Sequence, residues 1–407
     1  MITPSPDRIR TRIQQLASFT GVEGQCTRRT YTPAFEDAVG YLTEEMVALG
    51  MVVRMDGFGN LIGRYDPLGS ELPPIGIGSH IDTVADGGAF DGAMGIVVGL
   101  ELIECLQESR TPPGSPVEII AFAEEEGGVF GKGCLGSEYM TGNTSLEQLN
   151  TLVSINGGKP LAELAGSLPF GKPDYGEDHG WAVGHYAAFY EVHVEQGMTL
   201  EQSGHTVGIV QGVVGIMRNR IVFTGQSNHA GTTRMADRFD ASVAMAELVL
   251  ETRRIGTELA DKLVATCGKI DIHPNQHNVI PGKAAVVIEL RGDDNDTVVS
   301  ALERIRGKAK DVARDNGLHI SIDPEAFTPV KLFDETALAA LHTVTTGAGD
   351  VTPIFSWAGH DAKIMANVAP TAMLFVPSRK GLSHCPEEFS DAGDIARAAE
   401  ILLAVIV

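Results

Sequence analysis

The chain has 407 residues, 43% hydrophobic and 21% charged, which is ordinary globular composition and long enough for two cores. A net charge of −22, from 53 acidic against 31 basic residues, argues against a nucleic-acid binder, which needs a basic footprint. Five cysteines without a C-x-x-C pair suggest neither a disulfide framework nor a thiolate zinc cluster, and no apolar run reaches the roughly 20 residues of a membrane span or reads as a signal peptide.

Residues 4–19 and 33–49 carry helical apolar spacing, and the second helix closes at Gly50 as a C-cap. "NLIGRYD" and "IGIGSHIDT" read as strands, "GAMGIVVGLELIECLQE" as a helix, and "VEIIAFAEEE" as a buried strand ending in acids. Residues 141–180 are rich in Gly, Pro and polar residues, with one helix expected near 145–154, before "YAAFYEVHVEQG" resumes a strand. The character then changes. "HTVGIVQGVV" and "RNRIVFTGQ" are strands, followed by a helix over 237–255, strands at "GKIDIHP" and "KAAVVIELRG", a helix over 296–315 and a strand at "HISIDPE". From about residue 328 alternating helices and strands return, with a last helix from Ala392. The expected fold is α/β: a catalytic domain, 1–212 and 328–407, with a mostly parallel sheet flanked by helices, interrupted by an inserted α+β domain over 213–327.

Histidines and carboxylates recur at predicted strand ends. In "GSHIDTVADGGAFDG", His80 and Asp82 share one face of a strand, so one can ligate a metal while the other orients the imidazole. Asp91 follows a glycine-rich loop and precedes Gly92, whose backbone freedom lets a carboxylate turn into a site. Glu124, Glu125 and Glu126 end the buried strand, where three adjacent acids repel one another unless cations lie nearby. His193 and Glu195 share a face of a later strand, and His384 follows the last one in "SHCPEE". Each position alone is more often a satisfied structural group or a helix cap. Together they place imidazoles and carboxylates at the C-terminal ends of successive strands, where open α/β sheets build their sites, and such mixed ligands suit zinc, manganese, cobalt or nickel.

The ordered motifs "GSHIDTV…GGAFDGAMGIVVGLE", "FAEEEGG…F…GS", "HVEQG", "NHAGTTRMADRFDA", "HNVIPG", "ELRGDD", "GHDA" and "FVPSRKGLSHCPEE" resemble the N-carbamoyl-L-amino-acid hydrolases. That branch of the aminoacylase-like metallohydrolases includes allantoate amidohydrolases and β-ureidopropionases. The resemblance implies that His80 and His193 hold one metal and Glu126 and His384 another, with Asp91 bridging and Glu125 as general base. It implies that His229, on a lid and dimerisation domain, reaches the scissile carbonyl. Gln196, Asn278 and Arg291 would bind substrate, Arg291 through a carboxylate, with Gly359 in a loop lining the pocket. Two divalent ions per subunit follow, zinc foremost. So do a small carboxylate-bearing substrate, a homodimer and a cytoplasmic address with reduced thiols.

The residues allow that chemistry on their own terms. Paired cations polarise a carbonyl and make water a nucleophile near neutral pH, and a neighbouring carboxylate can move the proton to the leaving nitrogen. Arg291 offers a planar fork matched to a carboxylate, although the residues alone favour a strand-edge ion pair with Asp293 or Asp294. The expected reaction is hydrolysis of an N-carbamoyl-L-amino acid to amino acid, ammonia and carbon dioxide. Allantoate or another ureido acid, and N-acyl amino acids or dipeptides, are the near alternatives. A metal-containing binding protein without catalysis is the remote one, and the retention of Glu125 speaks against it. Two departures from the family pattern, Gly128-Val129 before Phe130 and Arg234 after "NHAGTT", bear on the pocket or lid.

Overall fold

The structure, a computed structural model, describes residues 3–260 and 262–407. In chain order the strands are β1 (Val52–Met55), β2 (Leu61–Tyr65), β3 (Ile75–His80), β4 (Val117–Phe122), β5 (Ala188–Val194) and β6 (Val207–Val213). There follow β7 (Gly215–Thr224), β8 (Asn228–His229), β9 (Leu263–His273), β10 (Val279–Ile280), β11 (Lys283–Gly292) and β12 (His319–Thr328). The last are β13 (Lys331–Leu332), β14 (Val351–Ser356) and β15 (Thr371–Val376).

The chain divides into two compact units, Met1–Gln211 with Phe333–Val407, and Gly212–Leu332. These limits differ by a few residues from the sequence reading because β12 runs on to Thr328 and β13 then returns beside β6, with Lys331 opposite Val213. The main sheet has the order β1-β2-β4-β3-β5-β15-β6-β13, with β14 also beside β6. Its centre, β4-β3-β5-β15, is parallel, and its margins are antiparallel. The central strands are buried along their length, which is why they read as near-continuous apolar runs. The helix Ala93–Ser109 packs beside them and is apolar nearly all round. Its one buried acid, Glu101, is matched by Arg8 at 2.6 Å and Arg12 at 3.4 Å. Helix starts follow the caps written in the sequence: Ser5, Asp240, Asp294, Asp334 and Asp391 each accept a first-turn backbone N–H.

The second unit has its own core around Ile221, Phe223, Leu248, Val286, Leu290 and Ile305. Its four-stranded antiparallel sheet, β12-β7-β11-β9, packs against the helices Ala241–Glu258 and Asn295–Asp315. Among the described residues no helix is long and apolar enough to cross a membrane.

Close packing at the sheet centre makes Gly78 indispensable. A Cβ there would stand 2.2 Å from the Ile120 carbonyl oxygen on β4, and backbone cannot yield as a side-chain tip can. Gly78→Ala is expected to destabilise the chain by about 1–3 kcal/mol, read as a lowered midpoint in denaturant titration; an unchanged midpoint would mean that β3 and β4 are not held this tightly.

Candidate metal centre

The parallel strands end at one edge of the main sheet, and the residues singled out above sit on or just beyond those ends. His80 closes β3, Glu124 to Glu126 follow β4, His193 is next to last in β5, and His384 lies in the loop after β15. Asp91 immediately precedes Gly92, which takes φ +66° and would bring a Cβ within 2.5 Å of the His80 ring. Only glycine lets the Asp91 turn lie this close to that imidazole.

The side chains converge. His80 Nε2 and His193 Nε2 lie 3.3 and 3.0 Å from Asp91 Oδ1. His384 Nε2 lies 3.2 Å from Asp91 Oδ2 and 3.5 Å from Glu126 Oε1. Among the described residues four groups able to hold a cation result, His80–Asp91–His193, Asp91–Glu126–His384, His80–Glu125–Glu126 and Glu191–His193–His360, and Asp91 belongs to the first two.

The imidazole tautomers are set by backbone. His80 Nδ1 stands 3.0 Å from the Asp82 carbonyl oxygen and His193 Nδ1 stands 3.0 Å from that of Val194. A carbonyl can only accept, so each Nδ1 carries a proton and, in the neutral ring, each Nε2 points a lone pair inward. His193 Nε2 is buried without a hydrogen-bond partner, yet faces the Asp91 carboxylate at 3.0 Å. A lone pair and an anionic oxygen aimed at one another call for a cation, and nitrogen and oxygen donors in this mixture fit zinc-like divalent ions.

Electrostatics say the same. Burial alone would push the His193 imidazole down, but Asp91 beside it prevails and raises it to about 9. His384 is raised to about 9 by its hydrogen bond to Asp91. Burial, together with the Asp91 and Glu125 charges, pushes Glu126 up to about 8. Burial opposes ionisation of Asp91 too, but its three imidazoles hold it well below the usual carboxylate range. The cluster of acids is thus short of positive charge, and it draws protons until something else supplies that charge.

Asp82 has a different place from the one its spacing suggested. Its carbonyl, not its carboxylate, takes the His80 Nδ1 proton, while its carboxylate accepts the backbone N–H of Glu125 and of Glu126, both at 3.1 Å. It therefore fixes the turn that carries both acids. Glu125 Oε2 lies 3.9 Å from His80 Nε2, and its Oε1 accepts from the Cys134 thiol at 3.2 Å. Gln196, at φ +59°, donates from Nε2 to Asp91 Oδ2 at 2.8 Å. Gly359 borders open space. His360 after it bonds Ser356 Oγ through Nε2 and stacks edge-on against His193 with ring centres 4.5 Å apart. Glu195 caps the next helix, accepting from Thr199 and Leu200.

His229, Asn278 and Arg291 belong to the second unit. His229 Nδ1 accepts from the N–H groups of Gly231 and Thr232 at 3.0 and 3.2 Å, which leaves Nε2 protonated as an outward donor. Asn278 holds Ala230 N through its carbonyl and helps line a cavity of about 700 Å³ with His277, Gln276 and Ser242. Arg291 donates from Nε to Glu289 at 2.9 Å; Asp294 instead caps a helix through Thr297. Residues that sequence reasoning left without a role include Glu191, which accepts from Ser79 and Ala362 behind His193, and Glu388. The latter stood inside a quoted motif, but local spacing does not separate an acid that ligates from one that accepts backbone N–H groups.

The chain is similar to known proteins over nearly its whole length. The signature of Peptidase family M20/M25/M40 matches residues 76–407. An N-carbamoyl-L-amino-acid amidohydrolase of Paenarthrobacter aurescens is 36% identical over 403 residues, covering 98% of this chain and 97% of that protein. An allantoate amidohydrolase of Bacillus subtilis (strain 168) is 34% identical, covering 93% and 92%. The crystal structure of an amidase of the hydantoinase/carbamoylase family from Burkholderia multivorans superposes with a TM-score of 0.91 at 29% identity, covering 100% of this chain and 98% of that one. With side chains able to hold a metal ion at the ends of its parallel strands and a family match over most of its length, the chain belongs to the M20/M25/M40 peptidase family.

Proposed function

We propose that this protein is a metal-dependent amidohydrolase that cleaves a non-peptide C–N bond in a small ureido acid, foremost an N-carbamoyl-L-amino acid. The observation that carries the reading is Glu125, a carboxylate 3.9 Å from His80 Nε2 that could hold a cation with His80 and Glu126 but lies beside, not in, the two groups that share Asp91. A binding protein has no use for such a base. Support for the substrate comes from relatives named for carbamoyl amino acids and allantoate at 31–36% identity over nearly the whole chain.

His80, His193 and Asp91 would hold one ion and Asp91, Glu126 and His384 the other, zinc foremost. Divalent ions held there would supply Lewis-acid polarisation of a carbonyl and a lowered pKa for attacking water. Glu125 takes the proton of the attacking water and passes it to the leaving nitrogen, which departs as the free amine. The His229 Nε2–H donates to the scissile carbonyl oxygen as charge grows there, a contribution of about 3–4 kcal/mol where such a donor has been removed elsewhere. Arg291 anchors the substrate carboxylate, its fork oriented by Glu289, and Gln196 and Asn278 complete the polar contacts. The inserted unit doubles as lid and dimerisation domain. β9 is an edge strand with Val264 and Ile270 exposed, beside a helix exposing Leu250, and a second copy in a homodimer would cover them.

A panel of N-carbamoyl, N-formyl and N-acetyl amino acids, allantoate, ureidopropionate and dipeptides tests the substrate. The highest kcat/KM is expected on an N-carbamoyl-L-amino acid; a clear preference for allantoate would move the assignment to the neighbouring activity. Arg291→Ala is expected to raise KM about 10–100-fold, the loss of a charge-assisted contact of about 1.5–3 kcal/mol. An equal loss on neutral amides would remove Arg291 from carboxylate recognition.

A further inference from the structure

We propose that Glu388 is the positioning residue that assembles the Asp91–Glu126–His384 half of the centre, by latching the loop that carries His384 onto the turn that carries Asp91. The inference rests on reading the cluster as a metal centre. The two halves are built differently. His80 and His193 ride on central strands, with rings fixed by backbone carbonyls. His384 lies in the loop after β15 with φ +57°, and its ring is 48% exposed. Something must bring that loop to Asp91, which is distant in sequence.

Glu388 reaches across. Its Oε1 accepts from Phe90 N at 2.8 Å and Asp91 N at 3.0 Å, and its Oε2 accepts from Ser383 Oγ at 2.7 Å. Ser383 Oγ is also 3.0 Å from Asp91 Oδ2. One carboxylate thus grips the backbone of the bridging acid with one oxygen and the residue before His384 with the other. The residue is 5% exposed, and both carboxylate oxygens are occupied by donors, so Glu388 orders the ligands and is not one itself. Phe90 and Phe389, packed edge to face at 5.6 Å, fasten the same two segments.

The experiment is metal titration of the chelated full-length protein with zinc, by calorimetry and by metal content after gel filtration. It is paired with hydrogen exchange of the Phe90 and Asp91 amides in the metal-free state. Wild type is expected to take two ions. Glu388→Ala should keep one at near wild-type affinity, bind the second about 10–100-fold more weakly, and exchange both amides faster. Glu388→Gln should stay near wild type, because its amide oxygen can still accept both N–H groups while its NH2 faces Ser383 Oγ. Ser383→Ala, which removes the Oε2 arm together with the Ser383 contact to Asp91 Oδ2, should weaken the second ion, and it keeps the test open if Glu388→Ala does not fold. Two ions at unchanged affinity in Glu388→Ala, or an unchanged second ion in Ser383→Ala, would overturn the latch alone. Equal weakening of both ions would reduce Glu388 to a general structural role. A wild type that takes up no pair of ions would overturn the metal reading and the latch together.

Discussion

Replacing Glu125 by glutamine is expected to lower turnover about 10²–10⁴-fold, the contribution of a positioned general base, while the protein still binds two metal ions. The amide has the same shape, and the turn that carries it is held by Asp82 through the backbone N–H groups of residues 125 and 126, which the substitution leaves intact. The Cys134 thiol can still donate to the amide oxygen. What disappears is a group able to accept a proton from water and return it to nitrogen. Steady-state kinetics with metal analysis of the same preparation check this; turnover near wild type would remove Glu125 from proton transfer, and loss of metal would make it a ligand.

Stripping the metal is expected to abolish activity and to make stability fall as pH rises. His193 and His384 are raised to about 9 from an unfolded value near 6.5. The stability they contribute is complete below about 6.5 and lost as pH rises through about 9. Glu126, raised to about 8, and Glu124, raised to about 7, act in the same direction. The folded chain favours their protonated forms, and that advantage goes as they ionise. Asp91 is held low, so its contribution is lost only in strong acid and does not offset this. Divalent ions replace those protons, and their binding releases them, so metal stabilises more at higher pH. The chelated protein should lose several degrees of Tm between about pH 6 and pH 9, and the gap to the metal-loaded protein should widen. A chelated Tm that is flat or rising over that interval would show that protons are not standing in for cations here.

Much of this was legible in the residues because the chemistry is concentrated at strand ends. Alternation and apolar runs located β3, β4, β5 and β15; the first three deliver a candidate residue within a few positions of their ends, and the loop after β15 delivers His384. The polar stretch 141–180 was harder. The one helix expected near 145–154 is a single turn, Leu146–Leu149, and the helices Leu135–Thr141 and Leu161–Gly166 were not anticipated. Such short helices draw their stability from tertiary packing, which a window of sequence does not contain. The margins β1 and β14 were missed for a related reason: short edge strands owe their pairing to a neighbour already in place. Asp82 shows the limit within the site. Its spacing from His80 predicted contact with the imidazole, and contact exists, but through the carbonyl. Which polar group of a residue makes a bond is decided by backbone direction, and a one-letter code is silent on that. For Arg291 the residues alone suggest Asp293 or Asp294 as ion-pair partner, and the structure shows an ion pair with Glu289, two residues upstream on the same face of β11.

The chain leaves for its insertion on β6 and comes back on β13, and these two strands lie side by side, Val213 opposite Lys331 and Gly212 opposite Leu332. Closure entropy grows with the length of chain that must be gathered before its ends meet. Once the inserted unit has formed around its own core, its termini are already neighbours. The surrounding unit then meets a connection no longer than a hairpin, and most of the entropic cost of interrupting its sheet has been met by the insert. A mutation that unravels the smaller core therefore reaches the main sheet as a lengthened loop, with no side chain of that sheet having changed.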